Sequence, residues 1–204
     1  MEKILSDTLW DYEKMALAIN PKQVTTSHGV IDCGDLPENV CKKIINEHTR
    51  PQNMQVKGRI QKDGKYELNE KRDVDCWIID DKQEWIDEII LSTTETAMSY
   101  LDYNLVGLLE RPQLLRYKSP SKGYNWHIDL GQNEASTRKI SISITLNDSH
   151  QGGELLFFSD HLYKIKMPLG KCIAFPSFLS HKVMPVRSGI RWALVAWISG
   201  HPFR

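Results

Sequence analysis

The chain has 204 residues, 41% of them hydrophobic, which is enough for one sizeable core. Basic and acidic residues number 26 each, so the formal net charge is zero and gives no global electrostatic argument for nucleic acid or an anionic membrane. A membrane span needs about 18 consecutive apolar residues; no such run is present, and Met1 to Asn20 is interrupted by Asp7, Asp11, Glu13 and Lys14.

Cys33, Cys41, Cys76 and Cys172 are far apart and form no Cys-x-x-Cys pair, which argues against a zinc ribbon or a thioredoxin-like motif and for free buried thiols. With no export signal visible, that usage suits a reducing cytoplasm. Leu36-Pro37-Glu38 opens a helix in which Val40, Ile44 and Ile45 recur at helical spacing, with Asp35 as its expected N-cap and an end near Pro51. Lys57 to Val74, rich in charge and glycine, reads as a mobile loop. A second helix fits Gln83 to Leu101, where Trp85, Ile89, Ile90 and Ala97 form an apolar stripe.

From Gln113 onward the pattern changes to eight short segments, at about 113–118, 124–129, 138–147, 153–158, 162–167, 171–175, 181–186 and 190–198, the number a jelly roll needs. Gly152-Gly153, Pro168-Leu169-Gly170 and Arg187-Ser188-Gly189 supply turn chemistry at three joints. We therefore expect an α+β, mainly β fold: a double-stranded β-helix over 107–199, with residues 1–106 as helical and loop-rich support packed on one sheet, all within one domain over 1–204. In the third segment Ile140, Ile142, Ile144 and Leu146 alternate with Ser141, Ser143 and Thr145. Either the hydroxyl face is exposed, or the isoleucine face packs on the helices and the hydroxyl face lines an interior pocket.

His127 and Asp129 stand two apart, so on a strand both side chains point the same way. Alone, the pair reads equally as a surface pair. His181 in a late segment adds a third donor, and two histidines with one carboxylate are the facial set that non-haem iron(II) uses; a lone structural histidine is the competing reading. Ten residues on, Arg191 opens the otherwise apolar run Ile190 to Trp197. A buried arginine must be paired, and its fork of donors suits the far carboxylate of a dicarboxylate held at the metal by its 2-oxo acid end. Otherwise it snorkels to the rim.

The ordered combination of His127-x-Asp129, Gly152-Gly153-Glu154-Leu155, Phe175-Pro176, His181 to Val186, Gly189-Ile190-Arg191 and Trp197 resembles the 2-oxoglutarate- and iron(II)-dependent oxygenases of the prolyl hydroxylase type, over about residues 107 to 199. The resemblance implies that His127, Asp129 and His181 bind Fe(II) and that Arg191 anchors 2-oxoglutarate. It implies that O2 is consumed, with L-ascorbate as a candidate reductant, and that succinate and CO2 are released as an unactivated C–H bond is hydroxylated. By the same resemblance Tyr117 helps hold the co-substrate and Tyr124 stands at the entrance. Thr145 occupies a place where some relatives carry a tyrosine on the co-substrate, and Trp197 shares a strand face with Arg191.

The substrate it favours is a peptidyl proline, with Tyr124 and Trp126 as ring-packing candidates and the 57–74 segment as a flap. Strand alternation turns both aromatics away from His127 unless a bulge near Asn125 intervenes. A lysyl residue or a small metabolite would suit the same chemistry. A zinc hydrolase and a non-catalytic metal-binding jelly roll are the readings from other classes, and neither needs an interior dicarboxylate anchor.

Overall fold

The computed structural model describes residues 26–49, 55–57, 59–62, 65–68, 73–80 and 83–202; what the sequence suggests for Met1 to Asn20 lies outside them. The strands are β1 (Thr26–Ser27), β2 (Val30–Asp35), β3 (Gln55–Lys57), β4 (Arg59–Lys62), β5 (Lys65–Leu68), β6 (Asp75–Ile78), β7 (Leu105–Gly107) and β8 (Gln113–Lys118). They continue as β9 (Tyr124–His127), β10 (Arg138–Thr145), β11 (His150–Gly152), β12 (Leu155–Phe158), β13 (Leu162–Ile165), β14 (Lys171–Pro176), β15 (Ser180–Val183) and β16 (Val186–Gly200). Among the described residues two α-helices, α1 (Glu38–His48) and α2 (Glu84–Met98), precede the barrel half.

The large sheet runs β1-β2-β14-β10-β16-β8-β6-β3, with β7 and β11 paired to opposite ends of the long β16; the small sheet runs β13-β12-β15-β9. Leu115, Tyr117, Ile173 and Phe175 of the large sheet share a core with Leu155, Phe157 and Val183 of the small one, so the two sheets face each other as in a jelly roll. On its outer face the large sheet buries Ile140, Ile142, Ile144, Leu194 and Ala196 against Cys41 and Ile44 of α1 and Ile86, Ile89 and Ile90 of α2. Burying one such isoleucine contributes about 1.5–3 kcal/mol, so the oily face of β10 turns to the helices and its hydroxyls turn inward. Of the two readings of that alternation, the pocket reading holds.

Three expectations need correction. Asp35 is not the cap of α1: Pro37 precedes the helix with extended ψ and no side-chain cap bond. The Asp35 carboxylate instead meets Lys171 Nζ at 2.8 Å, because its backbone closes β2 opposite Lys171. The 57–74 segment is not a plain loop either. Its described parts include the antiparallel pair β4–β5, and β3 joins β6 and through it β8 at one side of the large sheet. Charge marks a solvated strand as readily as a loop, and Asp63-Gly64, between β4 and β5 in sequence, is hairpin dipeptide chemistry. Nor is the first half only helical support, since β2 and β6 extend the large sheet on either side. All four cysteines are buried and free, and among the described residues no helix is long and apolar enough to cross a membrane.

Gly170 ties these layers together. Its N–H donates to Thr145 O and its carbonyl accepts from Leu36 N–H, both at 2.8 Å. Its φ is +82°, and a Cβ there would lie 2.1 Å from Leu36 O. Gly170→Ala should therefore lose about 1–3 kcal/mol to backbone strain alone, read as a clearly lower urea midpoint; an unchanged midpoint would contradict this role.

Candidate metal centre

His127 ends β9, His181 lies in β15, and the two residues pair directly across the small sheet. Between them the ladder is irregular: Val183 and His181 on β15 lie opposite Tyr124 and His127 on β9, a two-residue step against a three-residue one. That bulge at Asn125 and Trp126 is the device that lets Tyr124 face inward beside His127. The Tyr124 ring stacks on the imidazole at 3.6 Å between centroids. Trp126, by contrast, is 41% exposed and points out of the barrel, so only one of the two aromatic candidates faces the site.

Asp129 reaches the histidines from beyond the strand rather than along it. β9 stops at His127, and the N–H groups of Asp129 and Leu130 both donate to Ser177 O at 2.9 Å. The expected strand through 129 is thus shortened by a turn clamped to the β14–β15 connection. The three donors come together all the same: Asp129 Oδ1 is 3.7 Å from His127 Nε2, and Oδ2 is 3.6 Å from His181 Nε2. Among the described residues this is the cluster of histidine, cysteine and carboxylate groups compact enough to hold a metal ion.

The donor set fits a divalent metal in a second respect. Nδ1 of His127 lies 2.7 Å from Asn125 O, and Nδ1 of His181 lies 2.9 Å from Leu179 O. A carbonyl can only accept, so each Nδ1 carries a proton and Nε2 is the ring nitrogen left facing Asp129 and available to a metal. Burial works to raise the Asp129 carboxyl, but His181, His127 and Arg138 nearby and a hydrogen bond from Ser141 outweigh it and hold the group down at about 2. The ligand-ready carboxylate form therefore prevails at neutral pH.

Sequence reasoning missed the groups that hold Asp129. The Ser141 hydroxyl donates to Oδ2 at 2.7 Å and meets the Ser177 hydroxyl at 3.0 Å. Arg138 donates from Nη1 to Asp129 O at 3.2 Å, its guanidinium carbon lies 4.0 Å over the Trp197 ring, and its Nε and Nη2 pair with Glu110. The hydroxyl alternation of β10 was the available signal for Ser141; nothing local in sequence pairs Arg138 with Glu110.

From the histidines a cavity runs inward between the sheets, lined by Tyr117, Tyr124, Ser143, Phe175, Trp197 and, deep inside, Arg191. Arg191 is 3% exposed; burial pushes its proton affinity down, partly offset by Tyr117. It sits directly opposite Tyr117 in the ladder, its guanidinium 5.3 Å from that ring. Among the described residues no carboxylate pairs with it. Thr145, paired with Ala193, lies on the same sheet face; it does not line the cavity, and its buried hydroxyl has no hydrogen-bond partner. Gly153 also has a reason beyond turn chemistry, because a Cβ there would stand 2.6 Å from Arg191 Cδ.

A double-stranded β-helix with two imidazoles and one carboxylate at one end of a cavity, and a buried guanidinium farther in, is the arrangement that the resemblance in sequence implied. Comparison with known proteins agrees. Residues 112–199 match the 2OG-Fe(II) oxygenase superfamily. A PKHD-type hydroxylase of Synechococcus sp. (strain CC9902) is 35% identical over 82 residues, 39% of this chain and 37% of that protein. The chain thus spans about two fifths of the length of that curated relative.

Among solved structures, a Pseudomonas putida prolyl-4-hydroxylase superposes with TM-score 0.67 at 20% identity, covering 86% of this chain and 94% of that one. The viral collagen prolyl hydroxylase of Paramecium Bursaria Chlorella virus-1, solved as a 2OG complex, gives 0.59 at 23% identity, over 81% and 92%. Residues 112–199 thus resemble the 2OG-Fe(II) oxygenase superfamily in sequence, and the solved neighbours share the fold; Fe(II), 2-oxoglutarate and O2 are what that resemblance implies.

Two substitutions separate ligand from support. His181→Ala should remove one donor and nearly abolish Fe(II) or Co(II) binding in a folded protein, whereas Ser141→Ala should weaken it by about 10–100-fold, as loss of a ligand's hydrogen-bond partner does. Metal titration of the purified variants checks both, and wild-type affinity in either would contradict the arrangement.

Proposed function

We propose that the protein is a 2-oxoglutarate-dependent dioxygenase that hydroxylates an unactivated C–H bond of a polypeptide, a prolyl residue being the favoured target, and releases succinate and CO2. The observation that carries this reading is the buried Arg191 guanidinium, without a described carboxylate partner, in the same cavity as His127, Asp129 and His181. Burying an unpaired cation costs several kcal/mol. A dicarboxylate that reaches from the metal to Arg191 would supply the missing anion, and neither a zinc hydrolase nor an inert jelly roll requires one. Among the described residues the cavity lining holds no carboxylate besides Asp129, so these residues offer a hydrolase no separate carboxylate base.

In this reading His127, Asp129 and His181 would hold iron(II). Iron with 2-oxoglutarate and O2 supplies the oxidising power for C–H hydroxylation. The rest falls to the chain. Arg191 orients the co-substrate through its far carboxylate, with the Tyr117 hydroxyl as a secondary donor. Tyr124 braces the His127 ring and narrows the entrance. Trp197, held under Arg138, walls the metal end, and with Phe175 it keeps water from the reacting atoms. The PKHD names of relatives and the prolyl hydroxylase neighbours support the proline assignment; lysyl and small-metabolite substrates are the alternatives that a substrate panel would reveal.

Arg191→Met should leave Fe(II) affinity near normal while raising the 2-oxoglutarate requirement by roughly two to three orders of magnitude, the size of losing a buried charge pair worth about 3–5 kcal/mol. Succinate release against 2-oxoglutarate concentration measures it. An unchanged requirement would mean that another group anchors the far carboxylate.

A further inference from the structure

The outer face of the small sheet is the part of the barrel that the reaction does not use, and its composition is unusual. Strand alternation turns Phe157 and His181 inward and Leu156, Phe158, Leu162, Lys164 and Lys182 outward. The register sets Phe158 beside Leu162, and Leu156 between Lys164 and Lys182. The bulge adds Trp126, whose ring lies 6.5 Å from Phe158 edge to face and 5.4 Å beneath Lys182 Nζ. Phe158 is 50% and Leu162 57% exposed, and Lys166 continues the row outward.

We propose that this face is an exosite for the polypeptide substrate, taking an extended segment with an apolar or aromatic residue near the hydroxylated position and acidic residues beyond it. The inference rests on the hydroxylase reading given above and names the kind of chain that reading requires. Charge is the first argument. Among the described residues no carboxylate pairs with Lys164, Lys166 or Lys182. The acidic residues that flank β12, Glu154 and Asp160, are engaged by Arg187 at 3.8 Å and His161 at 2.9 Å. On a chain of zero formal net charge, this is a local cationic row that an acidic segment complements.

Continuity with the reaction site is the second argument. Trp126 adjoins His127 in sequence, and Phe158 follows Phe157, which pairs with His181. The apolar shelf therefore begins at the mouth, with Lys182 and Lys164 one strand step farther out and Lys166 beyond. At about 3.3 Å per residue, acidic side chains roughly three to five residues from the reacting position would meet them. Guarding of a sheet edge against aggregation accounts for Lys164 and Lys166 near edge strand β13. It does not account for Lys182 on the interior strand β15, nor for the exposed aromatic shelf. On a face continuous with a polypeptide-hydroxylating mouth, the three lysines favour an acidic peptide over a nucleic acid.

The test uses three fluorescein-labelled peptides, each with one proline followed by leucine: one ending in four aspartates, one in four serines and one in four lysines. Fluorescence anisotropy measures their binding to the Fe(II)- and 2-oxoglutarate-loaded protein under anaerobic conditions, and turnover is measured in air. The aspartate peptide should bind at least tenfold tighter than the serine peptide and the lysine peptide most weakly, with the gap closing in 0.5 M salt. Lys164→Gln/Lys166→Gln/Lys182→Gln should remove the preference, raising the peptide KM without changing kcat or peptide-independent 2-oxoglutarate decarboxylation. Equal binding of all three peptides, or a preference that survives the triple substitution, would overturn the exosite. So would tighter binding of a dodecathymidylate or of phosphatidylserine vesicles through the same lysines. If the aspartate peptide binds through the lysines but no peptide is hydroxylated, the exosite stands and the prolyl assignment fails.

Discussion

The structure is organised around a cation that cannot lose its proton. Arg191 is buried on a central strand of the large sheet, and arginine stays charged under all ordinary conditions. A lysine or histidine in that place could shed its charge; Arg191 can only be compensated. Its immediate surroundings are shaped accordingly: the Tyr117 ring lies opposite, Gly153 leaves room for the side-chain stem, and the cavity leads from the guanidinium to the two histidines and Asp129. The anion that this charge calls for and the metal that the three donors can hold are requirements of one cavity.

β10 makes such a cavity compatible with a stable fold. Its isoleucines face the helices and supply the hydrophobic stabilisation that keeps the large sheet in place, while Ser141, Ser143 and Thr145 face the interior. Ser141 satisfies its own burial by bonding Asp129, so one residue joins the packing of the sheet to the geometry of the metal donors. The turn after β9 completes the link, since Ser177 accepts both backbone bonds that hold Asp129 in place and its hydroxyl meets Ser141.

Much of this was legible in the sequence wherever a single physical rule governed a local pattern. Period-two alternation placed β10, and apolar spacing placed α1 and α2 to within a few residues. The expected start and end of β8 coincide with those observed. The need for an inward Tyr124 called for a bulge near Asn125, and the register shows one there. What could not be read depends on contacts between distant segments. Asp129 sits beyond the end of β9 because Ser177, almost fifty positions later, captures its backbone, and Arg138 is oriented by Glu110 and Trp197. Asp35 was mistaken for a cap because its ion pair with Lys171 has no trace in the local sequence. The strands between 57 and 74 were missed because charge density outweighed a weak alternation and the dipeptide Asp63-Gly64 in the sequence.

The central claim is that one cavity holds Fe(II) at His127, Asp129 and His181 and 2-oxoglutarate between that metal and Arg191. Anaerobic titration of the Fe(II)-loaded protein with 2-oxoglutarate, followed by visible charge-transfer absorption of the chelate, tests it most directly. The account predicts a band that saturates at one 2-oxoglutarate per chain and is not elicited by succinate, which lacks the keto oxygen needed for chelation. A protein that binds iron yet shows no such band at any 2-oxoglutarate concentration would contradict it.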